Sequence, residues 1–337
     1  MGPPRLTGAR LPGYTATMKR IGVLTSGGDA SGMNACIRSV VRTAISRNVE
    51  VIGIRRGYDG LIRGDVFPMD AASVGGILNQ GGTILLTARS KEFMTREGQE
   101  KAVATLKRHG IEGLIVIGGE GSFHGARVLG TEWGVPVVGV PATIDNDIAG
   151  TDFSIGFDTA VNVALEAIDK IRDTAASHER IFVIEVMGRS VGFIALEVGL
   201  AGGAEAILIP EVPYDLDTVC KRIASGRARG KISSIVVVAE GAGDAAEVSQ
   251  RIQEGTGLST RYAVLGYIQR GGSPTSLDRV LAARLGYAAV DHLLAGRHTS
   301  MVGVSGGSVQ VCDIDAAWTI EKRINLNLHE LAQVLSI

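Results

Sequence analysis

The chain has 337 residues, 45% of them apolar, and carries 34 basic against 35 acidic side chains. That length exceeds what one ordinary hydrophobic core serves and suits two α/β lobes, while the balanced charge supplies no field to draw nucleic acid or a membrane surface. No apolar run reaches the ~18 residues of a membrane helix, and Cys36, Cys220 and Cys312, odd in number and without metal-ligand spacing, are the usage of a reducing, cytoplasmic compartment.

Residues 1–18 contain Pro3, Pro4 and Pro12 and no long apolar stretch, so they read as a flexible extension rather than a signal peptide. Ile21 to Thr25 is an apolar run that ends in Ser26-Gly27-Gly28-Asp29, and the residues after it place Met33, Ile37, Val40, Val41, Ala44 and Ile45 on one helical face. The same rhythm of strand, turn and helix recurs with apolar runs at 49–54, 113–117, 135–140, 181–187, 206–209, 235–239 and 264–268. Runs apolar throughout are covered on both faces, and helical crossovers between them predict parallel sheets. The fold class is therefore α/β, with two doubly wound lobes. Residues 301–304 and 309–312 flank Ser305-Gly306-Gly307-Ser308 and predict a hairpin. Glycine is the compositional outlier, 46 residues or about 14% against an average of roughly 7%, which implies close backbone approaches.

In open parallel sheets, ligands sit beyond the carboxyl ends of the strands. The first polar cluster there, Thr25 to Asn34, puts unhindered backbone N–H groups at a helix start, where a phosphate is favoured. A tight connection is the equal alternative. The cluster lacks the Gly-Lys-Ser/Thr of a Walker loop and the G-x-G-x-x-G of a dinucleotide fold. The second, Gly118-Gly119-Glu120-Gly121-Ser122, holds a carboxylate inside a glycine run. An acid beside a phosphate cradle repels the anion unless a divalent cation bridges them, so Glu120 is a candidate Mg²⁺ ligand, with helix capping as the alternative. In the third, Pro141-Ala142-Thr143-Ile144-Asp145-Asn146-Asp147, two carboxylates stand two residues apart. In an extended segment they would share a face, one free to take a proton from a hydroxyl.

These three clusters, followed by Met187-Gly188-Arg189 and Gln269-Arg270-Gly271-Gly272-Ser273-Pro274-Thr275, resemble the phosphofructokinase family in order, content and spacing over residues 19–315. The resemblance implies a Rossmann-like three-layer fold, with a nucleotide-binding lobe over 19–155 and 268–318 and a sugar-phosphate-binding lobe over 156–267 and 319–337. It implies ATP as phosphoryl donor, Mg²⁺, and fructose 6-phosphate as acceptor. Asp145 would be the base, Thr143 and Asp147 would help place the reactants, and Arg189 would offset charge on the transferring group. Gly28, Tyr58, Arg89, Ser90, Gly119, Glu120, Gly121 and Ser122 would hold the nucleotide, with Glu120 on the metal. The sugar phosphate would meet Thr143, Ile144, Asp145, Arg180, Met187, Gly188, Arg189, Glu240, Arg261, Tyr267 and Arg270. Arg suits that task because its planar fork donates two hydrogen bonds to one phosphate. In relatives Arg180 and Arg261 come from a neighbouring subunit, which implies a homotetramer. Arg38, Arg42, Arg172, Glu205, Arg229 and Lys231 would form an effector pocket, although Ala71 stands where allosteric relatives carry Arg.

Two departures from the family are Glu120, where Asp is usual, and Tyr267, where many relatives have His. Pyrophosphate-using relatives carry Asp at position 121 and Lys at 142; Gly121 and Ala142 favour ATP here. The competing readings are a pyrophosphate-dependent enzyme, a kinase of another sugar phosphate such as sedoheptulose 7-phosphate, a non-catalytic sensing subunit, and a dinucleotide-dependent dehydrogenase.

Overall fold

The computed structural model of the chain describes residues 18–336, so of the extension expected over residues 1–18 only Met18 lies among the described residues. In chain order the strands are β1 (Arg20–Ser26), β2 (Glu50–Ile54), β3 (Val66–Met69), β4 (Gly113–Gly118), β5 (Val137–Pro141), β6 (Ile181–Val186), β7 (Ala206–Leu208), β8 (Ser234–Ala239), β9 (Thr260–Val264), β10 (Ser300–Ser305) and β11 (Ser308–Asp313). They form a seven-stranded sheet in the order β11-β10-β5-β4-β1-β2-β3 and a four-stranded sheet in the order β7-β8-β6-β9. The small sheet is parallel throughout. The large one is parallel except for β3 and β11, antiparallel strands at its two edges.

The continuous apolar runs are explained by helices on both faces of the large sheet. Ile21 and Val23 of β1 and Ile115 and Ile117 of β4 meet the helices Met33–Ser46 and Ser276–Leu294. Leu24, Leu114 and Val116, pointing the other way as alternation along a strand requires, meet the helices Gly57–Arg63, Arg96–Arg108 and Glu120–Trp133. The hairpin is present as β10 and β11, turning at Gly306 and Gly307, both at positive φ.

Three expectations need correction. The apolar run 264–268 is not a strand: β9 ends at Val264, and Gly266–Arg270 is a 3-10 turn that Gly266 enters at φ 52°. As β9 lies at the sheet edge, Val264, Tyr267 and Ile268 stay exposed. Ile45 is also exposed, because at 3.6 residues per turn it has rotated about 120° from the direction of Met33. Nor is Thr143 to Asp147 extended: the chain turns there, with Asn146 at φ 54°. The unpredicted strand β3 is four residues long and contains Pro68, which an edge tolerates because one row of N–H groups is unused.

The strand order decides where chemistry can occur. β5, β4 and β1 lie side by side and parallel, so the loops leaving their carboxyl ends emerge together. Those loops are the three polar clusters.

Candidate active site

A cleft of about 540 Å³ opens at this edge. Its lining draws Gly27 and Gly28 from the loop after β1, Gly119 to Ser122 from the loop after β4, Thr143, Asp145 and Asp147 from the loop after β5, Arg189 from the loop after β6, and Arg270 from the 3-10 turn after β9. Arg89 and Ser90 reach it because Asn34 holds the segment before them: its Nδ2 donates to the carbonyls of Gln80 and Gly81, and its Oδ1 accepts from Ile84 N at 2.7 Å. Thr87 Oγ1 then donates to Gly27 O at 2.7 Å, folding 80–90 over the first glycine turn.

Glycine permits two close approaches here. A Cβ on Gly28 would stand 2.5 Å from Arg270 Nη1, so a larger residue would push the tip of that flexible side chain off the turn. A Cβ on Gly118 would meet Ser26 O at 2.5 Å, closing the gap by which the ends of β1 and β4 approach. Some helix starts are capped by side chains: Thr95, Asp215, Asp244, Thr275 and Asn325 each accept from backbone N–H groups. The helices Met33–Ser46 and Glu120–Trp133, which begin at the cleft, start from Gly32 and Gly119 without a side-chain cap, as do Phe157–Ser177 and Phe193–Ala201 elsewhere. Orphan donors at such ends suit phosphate oxygens. Glu120 is the first residue of its helix rather than its cap, and its carboxylate is 43% exposed to the cleft.

Asp145 is 4% exposed, and its Oδ1 is buried without a hydrogen-bond partner. Burial, then repulsion from Asp147, raises its pKa to about 6 against the pull of Arg189 and Arg270. Asp147 is raised as well, chiefly by burial. Arg189 Nε lies 3.8 Å from Asp145 Oδ2, an ion pair too long to be a hydrogen bond. Its backbone is at φ 54°, and Glu240 holds that strained turn by accepting from Gly188 N and Arg189 N at 3.1 and 2.6 Å. Gln269 does the same for Met187 N at 2.9 Å. Met187, Gly188 and Glu240 thus build the Arg189 turn and do not line the cleft.

Tyr58 lines the cleft at its floor: its hydroxyl donates to Ser122 O at 2.5 Å and its ring stacks on Phe93 at 4.2 Å. Burial pushes that phenol well above its ordinary range. Ser122 Oγ, like Asp145 Oδ1, is a buried polar atom without a partner. A glycine-lined phosphate cradle, one exposed hard carboxylate and two orphaned oxygen groups fit a magnesium nucleotide, since Mg²⁺ is held by one or two carboxylates together with substrate phosphates.

Arg180, Arg261 and Tyr267 stand apart. Arg180 precedes β6 while Met187 follows it, about 23 Å away at ~3.3 Å per residue. Arg261 pairs in register with Phe182 near that same amino end, and Tyr267 is 83% exposed. Of the effector candidates, Lys231 Nζ pairs with Glu205 Oε1 at 2.7 Å, Arg172 donates to the carbonyls of Gly202 and Gly203, and Arg229 donates to Ser225 Oγ. Arg38 and Arg42 lie on the helix Met33–Ser46 of the other lobe, and no hydrogen bond or ion pair among the described residues joins them to that group. Sequence reasoning missed Phe93, Met94, His124 and Val128 on the cleft wall. His124 was accessible to it, being one helical turn after Glu120, with Nε2 3.3 Å from Glu120 Oε1. Its ring stacks at 3.9 Å on Trp318, which no spacing announces.

The phosphofructokinase family model matches residues 20–293. An ATP-dependent 6-phosphofructokinase of Halothermothrix orenii is 55% identical over 95% of this chain and all of its own. One of Clostridium botulinum is 53% identical with the same coverage. Among solved structures, the phosphofructokinase of Saccharomyces cerevisiae is similar with a TM-score of 0.87 at 35% identity, over 93% of this chain and 50% of that one. A pyrophosphate-dependent phosphofructokinase of Marinobacter aquaeolei is similar with a TM-score of 0.81 at 25% identity, over 92% and 86%.

Proposed function

The chain belongs to the phosphofructokinase family, and from that premise we infer that it transfers the terminal phosphoryl group of ATP, with Mg²⁺, to the 1-hydroxyl of fructose 6-phosphate, the glycolytic step to fructose 1,6-bisphosphate. The observation that carries the reading is Asp145, a buried carboxylate with an unpartnered oxygen, in the same cleft as the glycine cradle. Asp145 takes the hydroxyl proton as the new bond from O1 to phosphorus forms and the bond to the ADP oxygen breaks. Phosphoryl transfer has a loose transition state, so positioning and charge neutralisation carry most of the catalysis. Arg189 and Arg270 supply positive charge on the side facing the sugar, and Thr143 and Asp147 orient the reactants. Glu120, with the donor's phosphates, would hold the Mg²⁺, which when bound would neutralise charge on the phosphoryl oxygens.

The donor reading rests on Gly121 and Ala142. A Cβ on Gly121 would have nothing within 4 Å, so a larger side chain there would project into free cleft volume that a nucleotide uses. The separation of Arg180 and Arg261 from Arg189 supports their serving the sugar phosphate of a neighbouring subunit, in a homotetramer whose lobes divide as 19–155 with 268–318 and 156–267 with 319–337. Arg38, Arg42, Arg172, Glu205, Arg229 and Lys231 then form the effector pocket only across subunits, with Ala71 weakening it. The enzyme works in the cytoplasm; no described helix is long and apolar enough to cross a membrane.

A coupled assay with ATP, Mg²⁺ and fructose 6-phosphate, repeated with pyrophosphate and with sedoheptulose 7-phosphate, tests the reading. Turnover with pyrophosphate but not ATP would overturn the donor assignment, and turnover with neither would overturn the activity.

A further inference from the structure

The turn that carries Asp145 is pinned from outside its own lobe. Asn146, 4% exposed and at φ 54°, sits between the two carboxylates. Its Oδ1 accepts from Ser154 N at 3.0 Å, and its Nδ2 donates to Asp152 O at 3.2 Å. Lys322 Nζ donates to Asn146 Oδ1 at 2.7 Å and to Asp152 O at 3.1 Å, adding a charged donor to an oxygen that Ser154 Oγ also approaches at 3.2 Å. The same ammonium lies 5.4 Å from the centre of the Phe193 ring, a residue of the smaller lobe.

The path of the chain gives this contact its meaning. Before Lys322, the helix Ala316–Thr319 packs on the helix Glu120–Trp133 and stacks Trp318 on His124. After it, the helix Leu326–Leu335 packs on the helix Phe193–Ala201 and on β7, with His329 Nε2 3.0 Å from Ile207 O. The segment therefore passes from one lobe to the other at Lys322. Rotation about the Asn146 backbone would swing Asp145 and Asp147 in opposite senses, so whatever fixes the Asn146 amide fixes both acids. Placing a cation there costs desolvation, and the removal of a charged donor from a buried acceptor is the more expensive kind of hydrogen-bond loss. Desolvation lowers the pKa of Lys322 to about 8, opposed by Asp147 and Asp152.

We propose that Lys322 is a positioning residue for the phosphoryl-transfer reaction: carried on the segment that joins the lobes, it fixes the turn Asp145-Asn146-Asp147 in its reactive arrangement. This rests on Asp145 being the base. Lys322 touches neither the cleft nor any residue assigned to the nucleotide, so its loss should appear in kcat and not in the affinity for ATP.

The test uses the full chain with four variants: Lys322→Met, Lys322→Gln, Lys322→Arg, and Arg323→Ala as a control on the exposed neighbour. Steady-state kinetics with ATP and fructose 6-phosphate are measured together with thermal midpoints. The expected result is a fall in kcat of about 10- to 100-fold for K322M and K322Q, with KM for ATP within about threefold of wild type. K322R recovers at least about a third of the lost rate, and R323A behaves as wild type. K322Q keeps a donor without the charge, and it carries the test if K322M does not fold. A kcat within about twofold of wild type in whichever neutral variant folds would overturn the proposal, as would K322R impaired as deeply as they are. Wild type inactive with every donor would instead strike the assignment of function, which separates the two failures.

Discussion

Replacing Asp145 by Asn should make the protein more stable while disabling it. The side chain is 4% exposed and its pKa stands near 6, from an ordinary 3.8, chiefly through burial and then through Asp147. Each pKa unit is worth about 1.4 kcal/mol, so a rise of about two units means that the ionised carboxylate opposes folding by about 3 kcal/mol at neutral pH. The folded state binds this proton more tightly than the unfolded chain does, so between about pH 4 and 6 stability falls as pH rises, and the penalty is complete above 6. An amide of the same shape escapes it. In denaturant melts at pH 7.5, Asp145→Asn should therefore exceed wild type by ~1–3 kcal/mol, and the gap should close toward pH 4. In the same preparations turnover should fall by roughly 10²–10⁴, the range for loss of a general base, with substrate affinity little changed. Wild-type kcat/KM should drop about tenfold per pH unit below about 6. A variant no more stable than wild type at pH 7.5 would refute the burial argument. Retained turnover, or an acid limb near pH 4, would refute the assignment of the base.

Gly121→Asp combined with Ala142→Lys should shift preference from ATP toward pyrophosphate by about one to two orders of magnitude, since a charged hydrogen bond is worth ~1.5–3 kcal/mol; competing-donor assays read the ratio, and unchanged ATP preference would discredit the donor argument. Trp318 stacks on His124 beside Glu120, so in a Trp133→Phe background MgATP should change the remaining tryptophan emission saturably, with the concentration dependence of ATP binding. An unresponsive signal would mean that the helix Ala316–Thr319 does not sense the nucleotide. Asp145→Asn and Arg261→Ala chains, each inactive alone by more than about tenfold, should regain activity when co-folded, because a shared site can then draw its base from one chain and its Arg from the other. Failure to recover in hybrids verified by native mass spectrometry would place Arg261 at its own subunit's site or at none.

The sequence announced what depends on local grammar. Glycine turns after apolar runs located the loops behind β1 and β4, and Pro141 to Asp147 located the loop behind β5, because each motif is contiguous and its backbone demands are its own. It was silent where a side chain's neighbour is decided by tertiary path. Lys322 is separated from Asn146 by 176 positions, and nothing about a Lys in Glu321-Lys322-Arg323 distinguishes a surface charge from a cation held against the Asn146 amide. Trp318 is the same case. The misread strand at 264–268 has a different cause: an apolar run reads as sheet, yet Gly266 turns the chain at positive φ and leaves Tyr267 outward.

The same division explains why the site tolerates its own electrostatics. Asp145 and Asp147 both sit in burial that resists their ionisation, so an isolated turn of this sequence would relieve the strain by moving the acids apart or into water. It cannot, because Asn146 is held by Ser154 from its own loop and by Lys322 from the connecting segment, while Glu240 and Gln269 hold the turn that presents Arg189. The penalty worked out for Asp145 is thus carried by contacts outside the acids, which is why removing its charge should return stability and removing Lys322 should cost rate.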